Sequence, residues 1–556
     1  MRRIRFEYTQ QWTVNSSETR ENEAITTDAL IVERNASLIL SNCTLMINST
    51  QDSKGLINIH GTLILCNQTI IKAVNPSFHY SFLFFSTSIC NASDSIIRDV
   101  GESDLLQTQY EGIFLKCQHA LFRNMTISNC WNGLIIVSEY PIRIENCTII
   151  ENAVNGIRLI QGGGKTVVEN NLLERNGRVT ENYQISGAII IDENYRKHTG
   201  EFRVNCSIRS NVIKNNRLVG IGARFSENIT IAGNYISNQS LGILLDLCDN
   251  FRVEENKIIT NIYGTGIRLT SGCRANLIRQ NSIQMAKYGI EIIRSSLNTL
   301  LENRINETSD AAILMETGVY GNNISFNELI LSSGVPMKIV EANSAVIEGN
   351  KITTSDGDPV FILEDTENCS FIANQISAKG TIFYLQASSN NLFSENQVIS
   401  SSSGEFLLAT GQSKNITLAI FDAIGFASIE QGSTLKFIPK ATIKPEIEFM
   451  TLYSNDNPLA NADASNLELT LNITNTDWGN KSIIVEVLFH NNTKTNWTFS
   501  ILVIGKPHSL VTSTSNVSWF LLIPLSLGMQ LLALREKRKK EKKSLPKTKS
   551  AVTILW

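Results

Sequence analysis

The 556-residue chain has no Cys-X-X-Cys pair, and its six His are scattered over His60, His79, His119, His198, His490 and His508. Structural zinc sites gather Cys and His at short fixed spacing, so no metal site is expected. Its repeating part holds no ten-residue run with a helical apolar stripe, which excludes leucine-rich, ankyrin and tetratricopeptide arrays. There is no nucleophile elbow and no zinc-binding helix. Gly162-Gly-Gly-Lys-Thr166 has Leu159 where a phosphate loop needs its first Gly, and reads as a turn. Net positive charge is confined to the end: Arg535 to Lys549 carries nine Lys/Arg against two Glu, while the chain totals −3. The body is therefore acidic, which argues against nucleic acid as a partner. The start, Met1-Arg-Arg-Ile-Arg-Phe, lacks the apolar core of a secretory signal.

What the chain has in quantity is Asn, placed with a period. An Asn followed after one or two residues by Ile, Leu or Val recurs at Asn124, Asn146, Asn170, Asn211, Asn234, Asn256, Asn281, Asn303, Asn327, Asn350, Asn374 and Asn396. The intervals are 22 to 25 residues, apart from one of 41. A Gly followed by an alternating apolar run keeps phase with it, as in Gly156-Ile-Arg-Leu, Gly242-Ile-Leu-Leu and Gly289-Ile-Glu-Ile. Runs of three to five residues with period-two alternation, separated by Asn, Gly and Ser, are strands and tight turns. About 23 residues suffice for one turn of a parallel β-helix, with three short strands and three corners. At ~4.8 Å per turn, twelve such turns make a rod on the order of 55 Å. The Asn is expected at a corner, where it tolerates the left-handed backbone and its amide bonds to the next in the column.

The fold class read from this pattern is all-β: a right-handed parallel β-helix solenoid, a small β-sandwich-like domain and one C-terminal transmembrane helix. Residues 1–30 are assigned to an N-terminal cap, because an open solenoid end exposes core and strand edge. The β-helix takes 31–412. The 41-residue interval contains an insertion over 178–205, expected to leave the rod as a loop. Beyond Gly404 the marker stops, and longer strands such as Ser482–Val487 place a β-sandwich-like membrane-proximal domain at 413–506, the alternative being a set of distorted final turns with a cap. A Ser/Thr-rich linker at 507–516 leads to the apolar run 517–534. Trp519 stands at one boundary of that run and Arg-Glu-Lys-Arg-Lys-Lys at the other, the expected grammar of a membrane span. The positive-inside bias then puts the basic tail 535–556 in the cytoplasm and everything before it outside the cell.

About twenty Asn-X-Ser/Thr triplets, among them Asn42, Asn124, Asn146 and Asn228, fit an extracytoplasmic glycoprotein. Copies within the corner columns are expected to be less accessible than those near the C-terminus. A segment outside the membrane needs a signal to cross it, so a signal peptide is expected upstream of the recorded start. Among the ten Cys, Cys248 and Cys273 each lie eight residues before their marker Asn, in register on adjacent turns. They are a possible disulfide; a column of small buried thiols is the alternative.

Side chains two and four positions after the Gly marker face outward. They supply Arg158, Asp192, Arg224, Asp246, Arg268, Glu291, Glu316 and Lys338. The mid-rod set Asp192, Arg224, Asp246, Arg268 and Glu291 is the candidate ligand-binding column. Carboxylates and guanidiniums about 5 Å apart suit sugar hydroxyls, a uronate or a Ca²⁺ ion; the other reading is a surface ladder of charges that neutralise one another. No catalytic residue can be named.

The Asn-X-Ile corners with Gly-Ile-X-Leu strands resemble the parallel β-helix repeats of the pectin-lyase-like superfamily, nearest the NosD-like carbohydrate-binding and sugar-hydrolysis repeats, over about residues 30–410. The superfamily's hydrolase Asp motifs and lyase Arg motif are not matched, and the scattered His do not support the copper association of NosD. The overall plan resembles archaeal cell-surface proteins. The expected function is that of a membrane-anchored extracellular rod that binds polysaccharide or surface glycoprotein, or serves as a structural spacer. A polysaccharide lyase or glycoside hydrolase acting at the mid-rod column is the alternative. No cofactor is implied beyond the Ca²⁺ option.

Overall fold

A computed structural model describes residues 5–504, apart from 51–53, 102–110, 161–164, 179–185, 193–205, 401–404, 421–425, 440–446, 474–478 and the single positions 412, 456, 464 and 492. Every named element among them is a β-strand. One turn shows how the sequence winds. Val219–Arg224 forms a long strand, Thr230–Ala232 a middle strand and Tyr235–Ser237 a short one. The next turn repeats this as Leu241–Asp246, Arg252–Glu254 and Lys257–Ile259. Each strand pairs in parallel with its counterpart one turn on, as in Ile221↔Ile243, Ile231↔Val253 and Ile236↔Ile258. The alternating Ile, Leu and Val point inward on all three faces and form one continuous core.

The marker Asn occupies two different places. From Asn211 onward it is buried, and the residue before it adopts the left-handed conformation: Ser210, Glu255, Gln280, Glu302 and Glu395 all have φ between 54° and 60°. Asn124, Asn146 and Asn170 instead occupy the left-handed position themselves, with φ of 53° to 57°, and are exposed. Tolerance of positive φ therefore explains only the first three copies. The others are held by their amides. Asn234 donates from Nδ2 to Asn256 Oδ1 at 2.9 Å and to Ile208 O at 3.0 Å, and its backbone N–H reaches the same Oδ1 at 3.0 Å. Each buried Asn thus ties three successive turns, satisfying groups that burial would otherwise leave unpaired. A second amide ladder, Asn276–Asn298–Asn322, runs up the corner between the long and middle faces.

The Gly marker has a steric cause. A Cβ on Gly242 would stand 2.5 Å from Gly266 O and 2.6 Å from Ile258 Cγ2. At Gly220, Gly242, Gly266 and Gly289 the entry to the long strand lies too close to the next turn for a side chain, while Ala188 and Ala312 hold the same place at either end of that run. Near residues 361–406 the core changes to aromatics, with Phe361 and Phe383 stacked at 4.7 Å and Phe371 and Phe393 at 5.1 Å. Cys248 and Cys273 are in register as expected. The structure holds them as free, fully buried thiols, with the Cys248 N–H donating to Cys273 Sγ at 3.4 Å. Burial pushes the Cys248 thiol well up, and likewise Cys117, Cys130 and Cys206 to about 12.

The ladder is already running at Arg5–Val14, which pairs in parallel with Glu23–Val32; residues 5–30 are its first rungs rather than a separate cap. Within the 178–205 interval Gly187–Asp192 is a regular long strand of the ladder, paired with the turns before and after it. The rest of that interval, 179–185 and 193–205, where a loop is expected, and Gly162–Gly164, read as a turn, lie outside the described residues. At the far end parallel pairing continues through Ile416–Ile420, Phe426–Glu430 and Thr434–Pro439. Antiparallel strands then close the two sheets. Leu469–Asn472 pairs antiparallel with Thr434–Pro439; Lys494–Ile504 adds in parallel to Phe426–Glu430 and pairs antiparallel with Gly479–Phe489. Gly479–Phe489 in turn pairs with Ile447–Ser454. Phe437 and Trp497 meet edge-on at 6.0 Å between the sheets, so this part shares its core with the solenoid. Residues through Lys506 form one compact unit. Among the described residues no helix is long and apolar enough to cross a membrane. The linker 507–516, the span expected at 517–534 and the tail 535–556 lie outside them.

Candidate binding face

The long strands carry the candidate residues, but in two columns. Asp192, Arg224, Asp246 and Thr270 share one register. Arg268 and Glu291 align with Leu244 and Gly222, two residues back along the same strands. Arg158 belongs to this second column, in line with Ile190. Successive rungs lie ~4.8 Å apart, so the two columns form a strip of charge rather than a single file. The spacing from the Gly marker could not distinguish two positions from four as separate columns until the strands were set in register.

Within the strip the charges hold one another. Arg158 reaches Asp192 Oδ2 from Nε at 3.1 Å and Glu111 Oε2 from Nη1 at 3.2 Å. Arg224 Nε meets Asp246 Oδ2 at 3.3 Å, and Arg268 Nε meets Glu291 Oε2 at 2.5 Å. Glu291 is 4% exposed and also accepts from the Thr265 hydroxyl at 3.3 Å. These are charge-assisted bonds between partly desolvated groups, stronger than those of a fully solvated surface pair. One oxygen of the strip, Asp246 Oδ1, is buried without a hydrogen-bond partner.

The sequence reading missed several neighbours. Tyr288 donates from its hydroxyl to Asp310 Oδ2 at 3.1 Å, and the Lys287 ammonium lies 4.6 Å from the Tyr288 ring centre and 3.8 Å from Asp310. Burial raises the Tyr288 hydroxyl, with Lys287 working against it. Tyr263, 83% exposed, stands at the corner leading into the long strand Thr265–Thr270. These residues lie before the Gly marker or at corners, where a rule counting forward from that Gly does not look. A second ion-pair ladder lies on the middle face. Arg143 pairs with Glu145 and reaches Glu169 at 2.8 Å; Arg123 pairs with Glu145 at 3.1 Å. Burial works to raise the Glu145 carboxyl, but Arg143 and Arg123 outweigh it and hold it below the usual carboxylate range.

A polar concavity lies elsewhere among the described residues. A cleft of about 620 Å³ follows the corner between the middle and short faces, lined by Asn22, Asn42, Gln68, Asp94, Asn124 and Thr126. Among the described residues no group of three or more His, Cys, Asp and Glu is gathered as metal ligands.

The model of the right-handed β-helix region family matches residues 3–196, 178–329 and 288–421. No curated protein matches the sequence. Solved structures similar in fold include the periplasmic alginate epimerase AlgG, at 11% identity over 67% of this chain and 77% of that one, with a TM-score of 0.26. The surface protein and adhesin PfbA of Streptococcus pneumoniae is similar at 12% identity, over 71% of this chain and 91% of that one, with a TM-score of 0.29. A mutant tailspike protein of E. coli bacteriophage HK620 is similar at 9% identity, over 82% and 77%, with a TM-score of 0.31. At these identities and scores the likeness carries no argument about what the chain binds or does.

Proposed function

The chain belongs to the right-handed β-helix family, and on that premise we propose that it is a membrane-anchored extracellular rod presenting its long-strand face to polysaccharide or glycoprotein of an envelope or neighbouring cell. The observation that carries the reading is the strip Arg158–Asp192, Arg224–Asp246, Arg268–Glu291. It offers donors and acceptors in alternation, fixed to a rigid sheet at the repeat of the rungs. Sugar hydroxyls exchange with such groups without leaving a buried charge unpaired, because each group keeps its neighbour. The anchor in this reading is the apolar run 517–534 with its basic flank.

The strip's carboxylates are each engaged by a guanidinium, which favours binding or a spacer role over acid–base work. A general acid or base must be reachable by the proton it transfers. The test is a glycan array probed with the purified ectodomain, residues 1–506, followed by reducing-end and unsaturated-product assays on every hit. Retention of a glycan without product supports the binding reading. Release of product assigns an enzyme, and a blank array leaves the rod as a spacer.

A further inference from the structure

Every Asn that heads an Asn-X-Ser/Thr triplet among the described residues reaches the surface: Asn48, Asn306 and Asn415 are half-buried and the rest are exposed. None of the buried Asn heads such a triplet. Part of this division is geometric. Two residues after a ladder Asn comes an inward apolar side chain, Ile213, Ile236, Ile258 or Ile283, so Ser or Thr cannot stand there. The fold thus forbids acceptors in the amide ladder, but nothing in it requires them at the exposed corners. They are there nonetheless. Asn42, Asn124 and Asn146 occupy left-handed corner positions with outward Thr44, Thr126 and Thr148 two residues on, and Asn67 sits on the widened corner between them. The corner copies, expected to be the less accessible ones, are in fact open.

The acceptors are also unevenly placed around the rod. Asn91 and Asn323 lie on middle strands, Asn306 ends a short strand, and most of the others within the solenoid lie at corners. No described long strand from Arg5 to Glu430 carries one. The 620 Å³ cleft, meanwhile, is lined by two acceptors, Asn42 and Asn124, together with amides and a carboxylate able to seat a sugar attached there.

We propose that the exposed acceptors carry N-linked glycans, which sheath the corners and the middle and short faces and leave the long-strand face as the bare side of the rod. The inference rests on the extracellular reading above. In the step itself Asn Nδ2 attacks the anomeric carbon of a lipid-linked oligosaccharide diphosphate. The C–N bond forms, the bond from carbon to phosphate oxygen breaks, the lipid diphosphate leaves and Nδ2 loses one proton. Asn42 and Asn124 each donate one amide hydrogen to a neighbour, to Asn22 Oδ1 at 2.8 Å and Asp94 Oδ1 at 2.9 Å, which leaves the other for exchange.

The test uses full-length protein from the membranes of the cells that make it. Protease shaving of intact cells first establishes whether the rod is outside, so that a failure of the extracellular reading is seen separately. Glycopeptide mass spectrometry is then expected to find glycan mass on Asn42, Asn124 and Asn146; an external rod with these residues unmodified overturns the proposal. In a second arm, Lys338→Asn with Val340→Thr installs an acceptor on two outward positions of the long strand Val335–Val340. Once occupancy is confirmed there, binding to isolated envelopes is expected to fall at least tenfold, while Asn124→Gln leaves it unchanged. Unchanged binding with the new glycan in place overturns the bare contact face.

Discussion

Asn256 sends its backbone N–H and its Nδ2 to one atom, Oδ1 of Asn281, at 3.0 Å each, and a second Nδ2 bond runs back to Ile231 O at 2.9 Å. One side chain thereby links three turns, and the same contact repeats from Asn171 to Asn396. The helix is held along its axis by this polar column as well as by its apolar core.

Asn281→Leu keeps the branching at Cγ, adds some volume, and removes both acceptor and donor. The N–H and Nδ2 of Asn256 and the carbonyl of Val253 lose their partner. Buried groups left unpaired cost about 1–3 kcal/mol each, so with three of them a loss of at least about 3 kcal/mol is expected. Urea unfolding of residues 1–506 measures the total. Because repeat arrays open locally, hydrogen exchange is expected to rise first around Val253 and Ile278.

Gly242→Ala drives a methyl into Gly266 O and Ile258 Cγ2. Overpacking of this kind costs about 1–3 kcal/mol. Gly357, with nothing within 4 Å of an added Cβ, is the control. Thermal melts are expected to show a lower Tm for Gly242→Ala and little change for Gly357→Ala. Equal effects would mean the Gly marker answers to backbone freedom rather than to close approach of the turns.

Arg268→Met strips the guanidinium from a Glu291 side chain that is 5% exposed. Breaking a buried pair at one partner costs about 3–5 kcal/mol; Arg268 is itself 35% exposed, which places the effect below that range. Adding Glu291→Leu is expected to recover most of the lost stability, as read by the urea midpoint. If the strip binds glycan, the double variant stays folded and loses the array signal. If the face is only a spacer, its binding profile matches the parent's.

Glu145 has a depressed carboxyl pKa in the folded state. Its contribution to stability is therefore complete above the unfolded value, about 4.3. It is lost as pH falls through the lower folded value. Arg143→Gln, which removes one of its two guanidinium partners, is expected to flatten the stability profile below about pH 4.3 and to change its shape little at neutral pH. Urea midpoints from pH 3 to pH 7 check the sign; a profile unchanged by the substitution would assign the acid sensitivity elsewhere.

The sequence by itself determined the winding. A recurrence of 22 to 25 residues, short alternating runs and two markers in phase admit a parallel β-helix and exclude helical arrays, because the inward side chains must stack on their counterparts in the next turn. Which residues face outward was legible too, since strand parity fixes it. Register was not. The corner itself is constant, with Thr148–Ile150 and Val212–Lys214 both starting two places after a left-handed residue, but the marker takes that left-handed place in Asn146 and the next, buried ladder place in Asn211. A shift of two split the charged strip into the columns of Arg224 and Arg268. Those offsets are set by how each corner closes against the turn beneath it, a contact between residues more than twenty positions apart. Only the tertiary structure could decide which Arg meets which carboxylate, or that the acceptor Asn stand in the open while the ladder Asn do not.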